Sequence, residues 1–164
     1  LAREAYLRNV IASARNLRGL AERHTEGGIS RVVIQTAPAW KSELARDAVL
    51  LDSEGFDFKA GGQAHVQSLT IFENEALRGE IFQTWMALTT GTKKRRGRVH
   101  SWSDGEKTLI SSGLDEAEVL MANAGFLASA LGVESVEVYA VGEGEDVAGK
   151  ARHSFPLEPG IAFL

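Results

Sequence analysis

The feature that most constrains the fold is a run of three β-branched residues at positions 32–34, Val-Val-Ile, bounded by glycines and a proline. With Gly27 and Gly28 before it and Pro38 after it, this run predicts a buried strand over residues 31–37. A buried strand needs neighbouring strands, and helices or a second sheet must cover its faces. The rest of the sequence is therefore expected to supply further strands and amphipathic helices.

Two further segments have the pattern of strands. Residues 136–140 alternate between apolar and polar or aromatic side chains, which predicts a half-buried strand. Residues 159–164 are apolar and end the sequence, and an apolar chain end is expected to be held by a sheet. Because helical patterns separate the first two strands, we expect them to pair in parallel through a right-handed crossover. The last strand is expected to follow the second by a hairpin-like return.

Helical periodicity fills much of the remaining sequence. An apolar stripe with helical spacing covers residues 3–22, and further helices are predicted at residues 39–51 and 63–72. Asn74 is positioned to cap another helix. The apolar stripe of that helix consists of Leu77, Ile81, Phe82, Trp85 and Leu88.

The sequence between these helices and the last strands contains one strong capping signal. Asp115 and Glu118 predict a helix N-cap with its reciprocal carboxylate, and Gly132 predicts the end of that helix. Residues 52–62 are predicted to form a connection, and residues 89–113 an irregular, basic, exposed segment. The predicted fold class is α+β, close to α/β, with a small mixed β-sheet packed with several helices.

Composition excludes several classes of protein. The chain has 164 residues, 44% of them hydrophobic and 24% charged, as in ordinary soluble domains. It lacks a run of about 18 apolar residues, so no membrane span is expected. It has no cysteine, which excludes disulfides and thiolate metal sites. The absence of a signal-peptide pattern favours a location in the cytoplasm. We also expect the protein to be a monomer. Because Leu1 is not methionine and a helical pattern begins at once, we expect the chain to be a piece of a larger protein.

Charge is segregated along the chain although the net charge is only −4. Residues 115–146 contain eight acidic residues and no lysine or arginine. Basic residues are concentrated in the first helix and, more densely, within six positions further on. A polyanionic partner would meet these basic surfaces and avoid the acidic one. The dense cluster consists of Lys93, Lys94, Arg95, Arg96 and Arg98.

This basic cluster has two interpretations. Five cations in six positions repel one another, so they do not help the chain to fold, and a solvated loop is the simpler interpretation. The alternative is phosphate contact, in which each cation releases counterions from a nucleic acid. Trp102 lies close by in sequence, where it would either stack on a base or hold the loop to the protein.

No constellation for catalysis is recognisable in the sequence. The four histidines, at positions 24, 65, 100 and 153, are scattered and none has metal-ligand spacing. The nucleophile turn Gly-x-Ser-x-Gly, the phosphate-binding loop and the dinucleotide fingerprint are all missing. The Gly-Glu-Gly-Glu segment at residues 142–145 is interpreted as a turn, since its carboxylates would repel phosphate. We therefore predict a non-catalytic chain without a metal or a cofactor of its own.

Four short segments carry motifs that occur together in one protein family. Residues 34–41 contain an Ala-Pro-x-Trp-Lys turn between a strand and a helix, and residues 72–78 a link between two helices. Residues 114–139 combine an acidic helix cap with a Gly-Val-Glu strand start. Residues 149–163 begin with Gly-Lys-Ala and end with Pro-Gly-Ile-Ala-Phe. Together they resemble the C-terminal region of archaeal and eukaryotic-type leucyl-tRNA synthetases.

The resemblance implies a domain division and a function. Residues 1–26 would be the last helix of the anticodon-binding bundle, and residues 27–164 a C-terminal tRNA-binding domain. In this family, that domain grips the long variable arm of leucine tRNA, and the extreme C-terminal segment lies near the bases at the tip of the arm. The partners would be leucine tRNA and the remainder of the synthetase chain.

The chemistry of the parent enzyme would lie elsewhere. A leucine–tRNA ligase of class I is ATP-dependent, with ATP and magnesium bound in its catalytic domain. The class I signatures His-x-Gly-His and Lys-Met-Ser-Lys-Ser do not occur in this chain. The resemblance therefore implies that the chain takes part in protein biosynthesis without being catalytic itself.

Candidate RNA-binding residues combine the resemblance with the charge pattern. Phosphate contacts are expected from basic side chains, and base contacts from Trp102 and from the terminal strand through Ile161 and Phe163. The basic residues expected to bind RNA are Lys41, Lys93, Lys94, Arg95, Arg96, Arg98, Lys150 and Arg152.

An alternative function from another class is a protein-interaction module. Its acidic surface would be the docking face, and its terminal strand would pair with the edge of a sheet in another chain.

Overall fold

The computed structural model describes residues 2–22, 28–140 and 153–164. Within these ranges there are eight α-helices and a three-stranded sheet, which confirms the predicted α+β class. The strands are β1 (Arg31–Thr36), β2 (Ser135–Ala140) and β3 (Gly160–Phe163). The helices are α1 (Ala2–Ala21), α2 (Ala39–Ser53), α3 (Phe58–Ser68), α4 (Arg78–Leu88), α5 (Arg98–Ser101), α6 (Asp104–Ser111), α7 (Glu116–Ala122) and α8 (Ala124–Leu131).

The strand order in the sheet is β2-β1-β3. β1 and β2 are parallel, as predicted, with Val32 opposite Val136. β3 pairs antiparallel with β1 and not with β2, so the expected hairpin-like return is wrong. The physical reason lies in β1: its residues are buried on both faces, and a central position provides hydrogen-bond partners for its backbone on both edges.

The chain divides into two compact units. The first, which we call the sheet unit, comprises Leu1–Pro38 and Asp115–Leu164, and the second, the helical unit, comprises Ala39–Leu114. α1 belongs to the same compact unit as the three strands. The predicted division at residue 26 concerns the domains of a longer protein and stays a prediction.

In the sheet unit, α1 packs against β3 and α8, while α7 and α8 pack against β2. Asp115 accepts a hydrogen bond from the backbone N–H of Glu118, as its predicted role as N-cap requires. Gly132 ends α8 in the left-handed conformation, at φ 65°. The single helix expected between these two caps is interrupted at Asn123, whose side-chain amide donates to the carbonyl of Val119 at 2.7 Å. This local hydrogen bond competes with regular helix, a tendency of asparagine in general.

In the helical unit, α2 packs against α4, α5 and α6, and α3 packs against α4. The buried face of α2 contains Ala45 and Ala48, and small side chains allow its neighbours to approach closely. Large side chains fill the remaining core. The buried residues of this unit include Leu44, Val49, Val66, Ile81, Trp85, Leu88, Val99, Leu109 and Ile110.

Two predictions about connections in the helical unit are wrong. α3 begins at Phe58, inside the predicted connection 52–62, because the Asp57 side chain caps the helix by accepting from two backbone N–H groups. The predicted irregular segment 89–113 contains α5 and α6. α6 begins with a complete capping box between Ser103 and Glu106. Both N-caps stand in the sequence as recognisable signals.

None of the helices in the described ranges has both the length and the apolar character that crossing a membrane requires.

Candidate nucleic-acid interface

Four residues of the dense basic cluster lie in an ordered turn, which we call the cationic turn (residues 91–97): Lys93, Lys94, Arg95 and Arg96. Arg98 is the first residue of α5. The ends of the turn are joined by an isolated antiparallel bridge between Gly91 and Arg96. The backbone N–H of Thr92 donates to the carbonyl of Arg95 at 2.8 Å. The Thr92 hydroxyl accepts from the N–H groups of Lys94 and Arg95, at 3.3 and 3.2 Å. These bonds fix the backbone that carries the cations.

Two glycines hold the cationic turn against the end of α4. Gly91 has φ +72°, and its N–H donates to the carbonyl of Met86 at 2.6 Å. At Gly97, a Cβ would lie only 1.9 Å from the backbone oxygen of Thr89. Any other residue at position 97 would force the turn away from α4, because backbone cannot yield as a flexible side chain can. The basic side chains therefore extend from a fixed point of the helical unit.

The basic cluster is a local concentration of positive charge in a unit that has no net charge as a whole. The helical unit has ten basic and ten acidic residues, and five of the basic ones lie at positions 93–98. Lys93, Lys94 and Arg96 are exposed and form no ion pair with another described residue. Such an arrangement attracts polyanions, whose phosphates compensate the repulsion between the cations.

Lys41 and Trp102, both expected to contact RNA, are buried. Burial lowers the pKa of Lys41, and nearby Glu80 opposes this shift. Trp102 follows α5 directly and has only 9% of its surface exposed. For Trp102 the alternative interpretation, an aromatic ring that holds the segment to the protein, agrees with the observed burial.

The terminal strand offers little surface for base contacts. Ile161 is buried and lies opposite Ile34 in β1, so its side chain belongs to the core. Phe163 is half-buried, and the next residue, Leu164, is exposed. Lys150 and Arg152 lie outside the described residues.

Two arginines of the first helix have structural partners. Arg15 donates to the carbonyl of Ala130 at 3.0 Å, and Arg18 donates to the carbonyl of Leu131. Cations at the carboxyl end of a helix satisfy its last carbonyls and its dipole, so both residues stabilise the end of α8. Arg3 and Arg8 are exposed on the same helix.

A buried carboxyl group in the sheet unit, that of Glu116, was not predicted from the sequence. Glu116 accepts hydrogen bonds from the Tyr6 hydroxyl at 2.6 Å and from the backbone N–H of Leu157 at 3.1 Å. Burial raises the pKa of Glu116, and these two bonds oppose the shift. Burial and the neighbouring carboxyl also raise the pKa of Tyr6 above its usual range. The cluster ties α1 and α7 to the segment that leads into β3.

An aromatic cluster in the helical unit was also missed. His65 stacks on Trp85, with ring centroids 5.5 Å apart, while Phe58 contacts Trp85 and His100 edge-on. His65 also pairs with Asp47, and His100 with Asp52. Within the described ranges, no group of three or more histidine or acidic side chains is placed to hold a metal ion. The contacts of His65 and His100 with aromatic and acidic side chains are therefore interpreted as structural.

Comparison with protein families and with curated proteins identifies no relative. No protein-family model matches the chain, and no curated protein matches it. A functional assignment therefore depends on the residues of the chain and on their geometry.

Proposed function

We propose that this chain is the non-catalytic C-terminal tRNA-binding region of an archaeal or eukaryotic-type leucyl-tRNA synthetase, and that it recognises the long variable arm of leucine tRNA. The observation that carries the proposal is the cationic turn, which presents Lys93, Lys94 and Arg96 from a backbone held by its own hydrogen bonds. The motif resemblance of residues 34–41 and 149–163 supplies the identity of the RNA.

The geometry changes which residues are proposed to contact the RNA. Phosphate contacts are assigned to the cationic turn, because its basic side chains are exposed and its backbone is held in place by hydrogen bonds. Lys41 and Ile161 are not assigned contacts, since both are buried. Phe163 is retained as a base contact only through its exposed part.

The wider biological setting is part of the same proposal. The parent enzyme would perform ATP-dependent leucylation of tRNA in the cytoplasm, with ATP and magnesium in its catalytic domain. This chain would contribute affinity and selection of the substrate tRNA, as a monomer joined to the rest of the synthetase.

The salt dependence of binding tests the role of the cationic turn. We expect Lys93→Gln/Lys94→Gln to lower the affinity for leucine tRNA and to reduce the slope of log K against log salt by about 0.7 to 0.9 per lost phosphate contact. The matched control is Lys59→Gln/Arg46→Gln, which removes two exposed cations from the same unit. If both double variants give the wild-type slope, the turn does not contact phosphate. If both lower it equally, binding depends on net charge and not on the turn.

A protein-interaction module remains the second candidate because two observations favour it. β2 and β3 are the edge strands of the sheet among the described residues. In addition, Met121 and Phe126 of the sheet unit are exposed apolar side chains. A purified partner protein that binds this chain tightly, together with no measurable affinity for leucine tRNA, would favour this candidate.

A further inference from the structure

A cavity of about 290 Å³ lies in the helical unit and is lined by residues of α3, α4 and the segment after α4. Three of its lining side chains are aromatic: Phe58, Phe82 and Trp85. Phe82 is half-buried, and the neighbouring Met86 is 46% exposed. The volume is at the lower end of the roughly 300–1,000 Å³ typical of ligand pockets. A cavity of this size and lining suits one flat ring system.

Polar groups are present on the same walls. The indole N–H of Trp85 is buried and has no hydrogen-bond partner among the described residues. Buried donors without a partner are rare, and an unexplained one points to a missing acceptor. Gly62 also lines the cavity, and a Cβ there would lie 3.2 Å from this nitrogen, so glycine keeps the space beside the N–H free of a side chain. Gln63, exposed on the next position of α3, offers both a donor and an acceptor.

The cavity wall and the cationic turn are adjacent along the chain. Thr89 and Thr90 line the cavity, and the turn begins at the next residue, Gly91. Gly91 also donates to the carbonyl of Met86, a residue of the cavity wall. The same end of α4 therefore supports an aromatic cavity and a cluster of exposed cations.

Charge complementarity decides between occupants. An aromatic side chain of a peptide would suit the apolar walls, but the neighbouring peptide backbone carries no charge for the cations. A nucleotide in a single strand combines a flat ring that has polar edges with a phosphate on each side. Aromatic side chains beside a basic groove are the usual combination for binding unpaired bases.

We propose that this aromatic cavity accommodates one unstacked nucleobase of the bound RNA, while the cationic turn contacts the phosphates next to that base. The inference rests on the proposed function and adds a base-binding subsite to it. The site lies in the helical unit, and the terminal strand is not part of it.

The first experiment observes the orphaned indole N–H directly and does not depend on tRNA. The full chain, labelled with ¹⁵N, is titrated with uridine and adenosine 5′-monophosphates and, separately, with inorganic phosphate. We expect the indole N–H signal of Trp85, assigned with Trp85→Phe, to shift with a mononucleotide and to stay in place with phosphate. An unmoved Trp85 signal at millimolar mononucleotide would overturn the subsite. A shift with N-acetyltyrosinamide but with neither nucleotide would do the same, and would indicate a peptide instead.

The second experiment tests whether base and phosphate sites belong to one strand. A short single-stranded RNA is compared with the same strand carrying one abasic position, using the wild type and Phe82→Leu. We expect Phe82→Leu to bind the intact strand roughly five- to 30-fold more weakly, and to bind polyphosphate like the wild type. Phe126→Leu, which changes an exposed phenylalanine of the sheet unit, is the matched control and should bind both like the wild type.

The outcomes separate the subsite from the proposed function. Phe82→Leu and Gln63→Ala variants that bind the intact strand as tightly as the wild type would overturn the subsite, while tRNA binding through the cationic turn would stand. If both variants lose affinity for the intact strand but the wild type does not distinguish leucine tRNA from other RNA, the subsite stands and the proposed specificity falls.

Discussion

The two compact units use their charged and polar residues in different ways. In the sheet unit, several of the described ones bind other parts of the same unit: Glu116 binds Tyr6 and Leu157, and Arg15 binds the end of α8. In the helical unit, half of the basic residues are gathered in and beside one exposed turn, next to a cavity with an unpartnered indole N–H. The first arrangement stabilises a fold, and the second leaves interactions for a ligand to complete.

This difference moves the expected binding surface. The sequence placed base contacts at the terminal strand and at Trp102, but β3 is part of a sheet core and Trp102 is buried. The helical unit offers the exposed cations and a cavity whose wall includes the half-buried Phe82 and the exposed Met86. If the two units differ in this way, substitutions of the bonded residues in the sheet unit should change stability, and substitutions in the cationic turn should change RNA binding.

The largest expected effect is on the core of the helical unit. Trp85 is 2% exposed and contacts Phe58 and His65, so Trp85→Ala should lower the free energy of unfolding by about 3–5 kcal/mol. Phe126→Ala, at a position 59% exposed, should change it by no more than about 0.5 kcal/mol. Denaturant unfolding measures both. A loss of stability in Trp85→Ala as small as that expected for Phe126→Ala would mean that Trp85 is not a core residue.

A pH titration tests the buried carboxyl of the sheet unit. The pKa of Glu116 is raised in the folded state, so its contribution to stability is fully present below its ordinary pKa, about 4.5, and is lost as pH rises through the folded pKa. Relative to Glu116→Gln, the wild type should therefore lose stability as pH rises above about 4.5, by roughly 1.4 kcal/mol per unit of the pKa difference. Denaturant unfolding between pH 4 and 8 measures this. A difference between the wild type and Glu116→Gln that stays constant over this pH range would refute the buried carboxyl.

A smaller effect is expected at the start of α6. The Ser103 hydroxyl accepts from the N–H of Glu106, whose carboxylate accepts in return, so Ser103→Ala should cost about 1 kcal/mol of stability. Ser129→Ala, on the exposed surface of α8, provides the control and should change stability by less than about 0.5 kcal/mol. Equal values for the two serines would show that segment 89–113 lacks the capped helix.

The smallest effect is expected at Lys41, which the sequence assigned to RNA binding. Its side chain is buried, so Lys41→Met should leave the affinity for leucine tRNA within about twofold of the wild type, while stability changes by about 1 kcal/mol or less. Lys94→Met, at an exposed position of the cationic turn, should weaken binding clearly. A loss of affinity in Lys41→Met equal to that in Lys94→Met would show that Lys41 does contribute to RNA binding.

Local signals in the sequence predicted the elements that depend on local chemistry. The β-branched run at 32–34 predicted β1, and Gly132 predicted the end of α8. The pairing of β3 with β1 was not predictable in the same way, because it depends on which strand becomes central once all are assembled. Segment 89–113 was wrongly predicted to be irregular because its Ser103–Glu106 capping signal was not recognised.

In the candidate site, too, the sequence reveals local features but not those that depend on the assembled fold. The sequence displays the cations of the cationic turn, but the hydrogen bonds from Thr92 and the close contact at Gly97 that order them appear only in the structure. The aromatic cavity combines residues from α3 and α4 that are about 20 positions apart, and no periodicity brings them together. The burial of Glu116 was hidden because its neighbours Asp115 and Glu118 are exposed cap residues.

The most direct test of the central claim is the affinity of the full chain for leucine tRNA and for the same tRNA with its variable arm shortened, measured for the wild type and for Lys93→Gln/Lys94→Gln at one salt concentration. We predict that the wild type prefers the intact tRNA and that the double variant loses affinity mainly for the intact form, because the cationic turn contacts the arm. Equal affinity of the wild type for the two RNAs would contradict recognition of the arm. An equal loss by the double variant on both RNAs would contradict the assignment of the arm to the cationic turn.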